Sequence, residues 1–238
     1  LKGTGYDTQN RLVAVTDPAG GVTQYAYDAS HRMTSLTDAR GITYLTNTYD
    51  ANGRVCRQTQ ADGGTFTFYY IPADRAGLPE SQQLLAEAAA GGPITQAPCT
   101  GVLSSALVVS TVLVDPRGTP TTYQFNGQSF LTGVTNALGQ TTAYTRDATT
   151  NQVTSITDPL NRVTTFAYDA SGNVTSVTDP AGNVRTFTYE PTFNKVTSAT
   201  DPLGHVTTFA YDPANGDLLT VTDPPCCGRY ESSAWSRG

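Results

Sequence analysis

The stretch from Tyr168 to Thr188, YDASGNVTSVTDPAGNVRTFT, is followed at Tyr189 by the start of the same pattern. A fixed period constrains architecture more than any other sequence signal, because each repeat must be one supersecondary unit that buries its face against its neighbours. The unit reads aromatic-Asp, a short turn rich in Gly and Asn, a Val/Thr strand, Thr-Asp-Pro-x-Gly, a second strand, and a new aromatic-Asp.

Starts of this kind fall at Tyr6-Asp7, Tyr27-Asp28, Tyr49-Asp50, Phe125-Asn126, Arg146-Asp147, Tyr168-Asp169, Tyr189-Glu190 and Tyr211-Asp212, with steps of 21 or 22 residues outside one gap. The Asp of the second landmark falls at Asp17, Asp38, Gln60, Asp115, Asn136, Asp158, Asp179, Asp201 and Asp223. In the first turn the Asp side chain caps the backbone, and Asn10, His31, Gly53, Asn151, Gly172, Asn194 and Gly216 stand where a positive φ is tolerated. Ser129 is the exception there, with Gly127 nearby. The units starting at Arg146, Tyr189 and Tyr211 carry one extra residue, which fits inside this turn. A slip inside a strand would instead invert its faces. The second turn has Pro at its second place and, in most copies, Gly at its fourth, as a tight turn prefers.

Between the turns, pairs such as Tyr25/Tyr27, Tyr123/Phe125, Phe166/Tyr168, Phe187/Tyr189 and Phe209/Tyr211 put aromatics on one strand face. Thr, Val and Tyr favour strands, whereas Lys occurs only at Lys2 and Lys195 and Met only at Met33. The fold expected is all-β: an antiparallel β-meander ribbon of about nine hairpin repeats, up to about eighteen strands and on the order of 80 Å long at ~4.8 Å per strand. Its divisions are a first repeat block at 1–70, an insert at 71–111, a second block at 112–224 and a non-repeat tail at 225–238. The insert should hold one helix over 79–90, since Pro79 opens it, Gly91-Gly92 follow it, and Leu84, Leu85 and Ala88 form its apolar side. The apolar stretch after it should return to strand before Asp115. The chain begins inside a repeat at Leu1, as a fragment of something larger would.

A net charge of −6 argues against nucleic acid or an anionic membrane as partner. No run is long enough to span a membrane; the longest, Gly101 to Val114, is short and carries three Ser and a Thr. No catalytic, cofactor-binding or metal site stands out, and none is expected. Each landmark Asp starts a turn, and neither a helix–loop calcium spacing nor a glycine-rich calcium nonapeptide occurs. His31 replaces Gly or Asn at a positive-φ place, and His205 reads as an exposed polar residue at a strand start. Cys56, Cys99, Cys226 and Cys227 lack metal-site spacing. A Cys56–Cys99 disulfide and free, partly buried thiols both fit, and a redox role for adjacent Cys226 and Cys227 is the lesser reading. Asn173-Val174-Thr175 matches a glycosylation sequon. The aromatic strip reads as the packed inner face of the sheet, with a sugar-binding strip as the alternative.

The recurring Tyr-Asp-x-x-Gly and Thr-Asp-Pro-x-Gly units resemble the YD repeat of the Rhs family over roughly residues 1–70 and 112–224. The resemblance implies a ribbon of β-hairpins spiralling into a hollow shell. In bacterial polymorphic toxins and insecticidal toxin complexes such a shell encloses a C-terminal toxin, and in teneurin-like animal proteins it belongs to a cell-surface adhesion structure. It therefore implies a secreted or bacterial cell-surface scaffold without enzymatic activity. The partners implied are further Rhs repeats and a C-terminal toxin domain of the same polypeptide. The alternative is a repeat module that binds cell-surface glycan. The self-cleaving core that precedes the toxin in some relatives has no counterpart in Pro225 to Gly238.

Overall fold

A computed structural model describes residues 3–100 and 104–223. It divides into two compact units between Thr141 and Thr142. The first contains β1 (Gly3–Tyr6), β2 (Leu12–Thr16), β3 (Val22–Tyr27), β4 (Met33–Thr37), β5 (Thr43–Tyr49), β6 (Val55–Gln60) and β7 (Thr65–Pro72). Helix α1 (Pro79–Ala89), β8 (Val108–Val114), β9 (Pro120–Phe125) and β10 (Leu131–Thr135) complete it. The second contains β11 (Thr141–Arg146), β12 (Val153–Thr157), β13 (Val163–Tyr168), β14 (Val174–Thr178), β15 (Val184–Tyr189), β16 (Val196–Thr200), β17 (Val206–Tyr211) and β18 (Leu218–Thr222). Within each unit every strand pairs antiparallel with the next in sequence. The all-β meander, its strand number and its single short helix are those expected from the repeat.

The two turn types of the sequence are one device. In both, the N–H of the fourth residue donates to the carbonyl of the first, as Asn10 does to Asp7 (3.1 Å) and Gly20 does to Asp17 (3.1 Å). The first residue's N–H then donates to the fifth's carbonyl, as Asp7 does to Arg11 and Asp17 does to Gly21. The fourth residue lies at positive φ in each, for example Asn10 at 60°, Gly20 at 91°, His31 at 63° and Asn161 at 60°. This is a three-residue hairpin loop, a tight turn closed by a left-handed residue. Ser129 is no exception: it takes φ 64° itself, and Gly127 is not needed for the reversal. The extra residues do sit inside the turn, because Asp147, Glu190 and Asp212 each donate to the carbonyl five residues on.

The hairpins nevertheless differ at their two ends. Each one closed by an aromatic-Asp turn has a register shift beside its aromatic position, such as Tyr168↔Val174 next to Ala167↔Ser176. Most hairpins closed by turns of the second landmark run in unbroken register, with β4–β5 the departure. A bulge raises local twist at that end of each hairpin.

The insert does not interrupt the sheet. β7 and β8 pair from Thr67↔Val114 to Pro72↔Val108, so residues 73–107 form one long hairpin connection. Its helix lays Leu84 and Ala88 on Ile71 and Val112, with Tyr69, Leu85, Ile94 and Val114 around them. Among the described residues the fully buried apolar side chains all lie in this first unit. In the second unit the strand aromatics, Phe187 included, take the less exposed face of alternating strands, half-buried rather than fully buried. The tail expected at 225–238, with Cys226 and Cys227, lies outside the described residues.

Candidate functional site

The landmark carboxylates of the turns from Asp7 to Asp212 have a backbone task. One oxygen of Asp169 accepts the N–H groups of Ser171 and Asn173, both at 2.9 Å. Asp7 receives Gln9 and Arg11 in the same way, and Asn126 does so with a side-chain amide oxygen. Where Gln60 replaces Asp, Asp62 supplies the acceptor to Gly64. The side chain four residues on takes the second oxygen: Arg11 at 2.6 Å, Arg32 at 2.7 Å, Asn173 at 3.0 Å and His205 at 2.8 Å. These donors hold the carboxyls below the ordinary range. The Arg11 backbone N–H is the largest cause for Asp7, the Asn173 amide for Asp169 and the His205 ring for Asp201.

The same basic residues reach the next repeat. Arg11 stacks over Tyr27 (5.0 Å to the ring centre), Arg32 over Tyr49 (4.6 Å), Arg54 over Tyr70 (4.6 Å) and Lys195 over Tyr211 (5.5 Å). Each tyrosine in turn donates its hydroxyl to the first residue of the strand before its own: Tyr27 to Leu12, Tyr49 to Met33, Tyr70 to Val55, Tyr168 to Val153, Tyr189 to Val174 and Tyr211 to Val196, at 2.6–2.9 Å. At Asp7–Arg11–Tyr27, Asp28–Arg32–Tyr49 and Asp50–Arg54–Tyr70, carboxylate, cation and tyrosine thus form one clamp that joins hairpin to hairpin, and at Tyr168, Tyr189 and Tyr211 the hydroxyl bond makes the link. Tyr70 is a ninth aromatic landmark that sequence reading passed over, because Ile71 follows it instead of Asp. The arginines were legible as a residue four places after Asp7, Asp28 and Asp50.

The remaining candidates resolve individually. His31 sits in its turn, as expected. His205 is exposed and paired with Asp201, in an open groove with Arg185, Phe187, Thr207 and Asp223. Thr207 donates its hydroxyl to Asp223 at 3.1 Å. The His–Asp pair therefore has an orienting carboxylate, but no nucleophile is hydrogen-bonded to the ring among the described residues. The Asn173 amide donates to Asp169 and to Asn194 (3.1 Å), so the sequon nitrogen is engaged in the turn. Cys56 and Cys99 are joined in a disulfide. No group of three or more potential metal ligands occurs among the described residues. No helix among them is long and apolar enough to cross a membrane.

The sequence matches the family model described as RHS Repeat over residues 6–43, 149–184, 168–192 and 192–224. No curated protein matches it. Among solved structures, TcdB2-TccC3 is similar at 14% identity and TM-score 0.40, over 92% of this chain and 15% of that one. The Photorhabdus luminescens Tc holotoxin pore is similar at 13% identity and TM-score 0.40, with the same coverage. A porin-like protein from Bacteroides uniformis gives 13% identity and TM-score 0.30, over 92% of this chain and 86% of that one. The chain therefore spans about 15% of the length of the toxin-complex chains it resembles.

Proposed function

For a chain that belongs to the RHS-repeat family, we propose a structural role: a stretch of β-ribbon shell that encloses or presents a toxin domain of the same polypeptide. The observation that carries this reading is the clamp. The landmark carboxylates close the turns, and the tyrosines, with arginines in three successive units, hold one hairpin to the next, which serves extension of a wall. Turnover would need a poised nucleophile and base, and the repeat offers neither. The partners are further RHS repeats and a downstream toxin domain. The Cys56–Cys99 disulfide supports passage through an oxidising compartment, hence a secreted or cell-surface location. The test uses the whole polypeptide. A segment downstream of the repeats should resist protease until the ribbon is unfolded. A downstream segment cut as fast as the same segment expressed alone would refute enclosure.

A second reading, carbohydrate binding, draws on one place. The half-buried Phe187 ring lies in a groove with Arg185, His205, Asp201 and Asp223, a mixture of apolar face and polar rim suited to a sugar. Glycan-array binding abolished by Phe187→Ala with the fold intact would favour it over the wall. A pure wall binds no glycan.

A further inference from the structure

The disulfide lies at a distinct place in the insert. After α1 the chain is anchored at Thr95, whose N–H and hydroxyl both donate to Glu87 (2.9 and 2.6 Å), and at Gln96, whose carbonyl accepts the Tyr69 hydroxyl (3.2 Å). It is anchored again at Ser104, whose N–H donates to Asn52 in the third aromatic-Asp turn (3.0 Å). Between those anchors, Cys99 ties residues 97–100 to Cys56 of β6. The tied segment lines a cavity together with Asp50, Arg54, Phe68 and Tyr70. The Asp50 side chain is 4% exposed, against 22% for Asp7 and 25% for Asp28 in the same role.

Cys99 also differs from every other residue of its backbone class. It takes φ 66°, and every other described non-glycine residue at positive φ is the closing residue of a repeat turn. A cysteine has no turn chemistry to favour that conformation.

We propose that residues 97–100 are a thiol-labile latch over the Asp50–Arg54–Tyr70 clamp, closed by oxidation and opened by a low-molecular-weight thiol. Cys56 is 1% exposed and Cys99 half-buried, so Cys99 presents the accessible sulfur. The reductant thiolate attacks the Cys99 sulfur. The S–S bond breaks, and its electron pair leaves on Cys56, which takes up a proton. A second reductant thiol displaces Cys99 from the mixed disulfide, so two reductant thiols become one disulfide and the protein gains two thiols. Helix α1 stays in place, because Leu84 and Ala88 hold it to Ile71 and Val112 independently of the sulfur bridge. This inference stands on the disulfide and its surroundings and does not rest on the shell reading.

The test is site-resolved hydrogen exchange on the whole chain, oxidised and after dithiothreitol. Tryptic mapping first establishes the bridge, as Val55–Arg57 joined to the peptide bearing Cys99. Reduction should raise exchange by about tenfold or more at the Asn52 and Arg54 amides, which donate to Asp50 beneath the latch, while 79–89 stays protected. Cys99→Ser should reproduce the reduced pattern without reductant; should that variant fail to fold, the reduced wild type carries the test. Free Cys56 and Cys99 thiols in the oxidised protein, exchange unchanged by reduction, or loss of protection across the helix as well would each overturn the latch.

Discussion

At the residue scale, the repeat depends on two atoms per turn, a left-handed closing residue and an acceptor oxygen. Gly172 lies at φ 87°, and a Cβ there would stand 2.9 Å from the Gln152 amide. Gly172→Val should therefore cost roughly 1–2 kcal/mol or more, and Gly172→Asn less, since Asn10, Asn151 and Asn194 close such turns already. Urea denaturation of the two variants checks the order; equal neutrality would contradict the turn geometry. The tyrosine hydroxyl gives a second test. Tyr168→Phe removes the bond to the Val153 carbonyl and keeps the ring, so it should cost about 0.5–1.5 kcal/mol by the same measurement.

At the element scale, the insert supplies what the bare meander lacks. A two-sided sheet of short strands needs cover on at least one face to bury apolar surface. In the first unit α1 provides it, and Val112 is fully buried beneath. Leu84→Ala should cost about 2–5 kcal/mol, as cavity-forming truncations do. Phe187→Ala in the second unit should cost less, about 1–2 kcal/mol, because its ring is only half-buried. Calorimetric melting of both variants orders them. A Phe187→Ala loss larger than that of Leu84→Ala would mean that this face is covered in solution.

At the scale of the whole molecule, the turns act together through pH. Asp7, Asp28, Asp38, Asp115, Asp147, Asp158, Asp169, Asp179 and Asp201 are all held below their ordinary values. For a carboxyl depressed in the folded state, the stabilisation is complete above the unfolded value of about 3.9 and is lost as pH falls through the folded value. Stability should thus be nearly level from about pH 7 to pH 5 with respect to these groups, then fall steeply below about pH 4. Denaturant midpoints across that range check the sign. Asp169→Asn should keep most of the turn, since Asn126 and Asn136 already accept the same N–H groups, and should flatten the acid limb.

The period, the turn residues and the strand alternation were legible because they are local: a hairpin loop needs its left-handed residue and its acceptor within five positions of each other. The all-β meander, the helix at Pro79 and the positive φ of His31 followed from that alone. What required the tertiary structure was all that passes between hairpins. The hydroxyl of Tyr27 meets Leu12 fifteen residues back, and Arg54 lies over a tyrosine sixteen residues on. Tyr70 lacked its Asp, yet the clamp identifies it as a landmark by what it touches. The disulfide was undecidable from spacing, because a sequence separation of 43 sets no distance between Cys56 and Cys99 until the insert folds back on β6. How deeply the aromatic face is buried was open for the same reason. Alternation says which residues share a side of a sheet, but whether anything covers that side depends on elements distant in sequence.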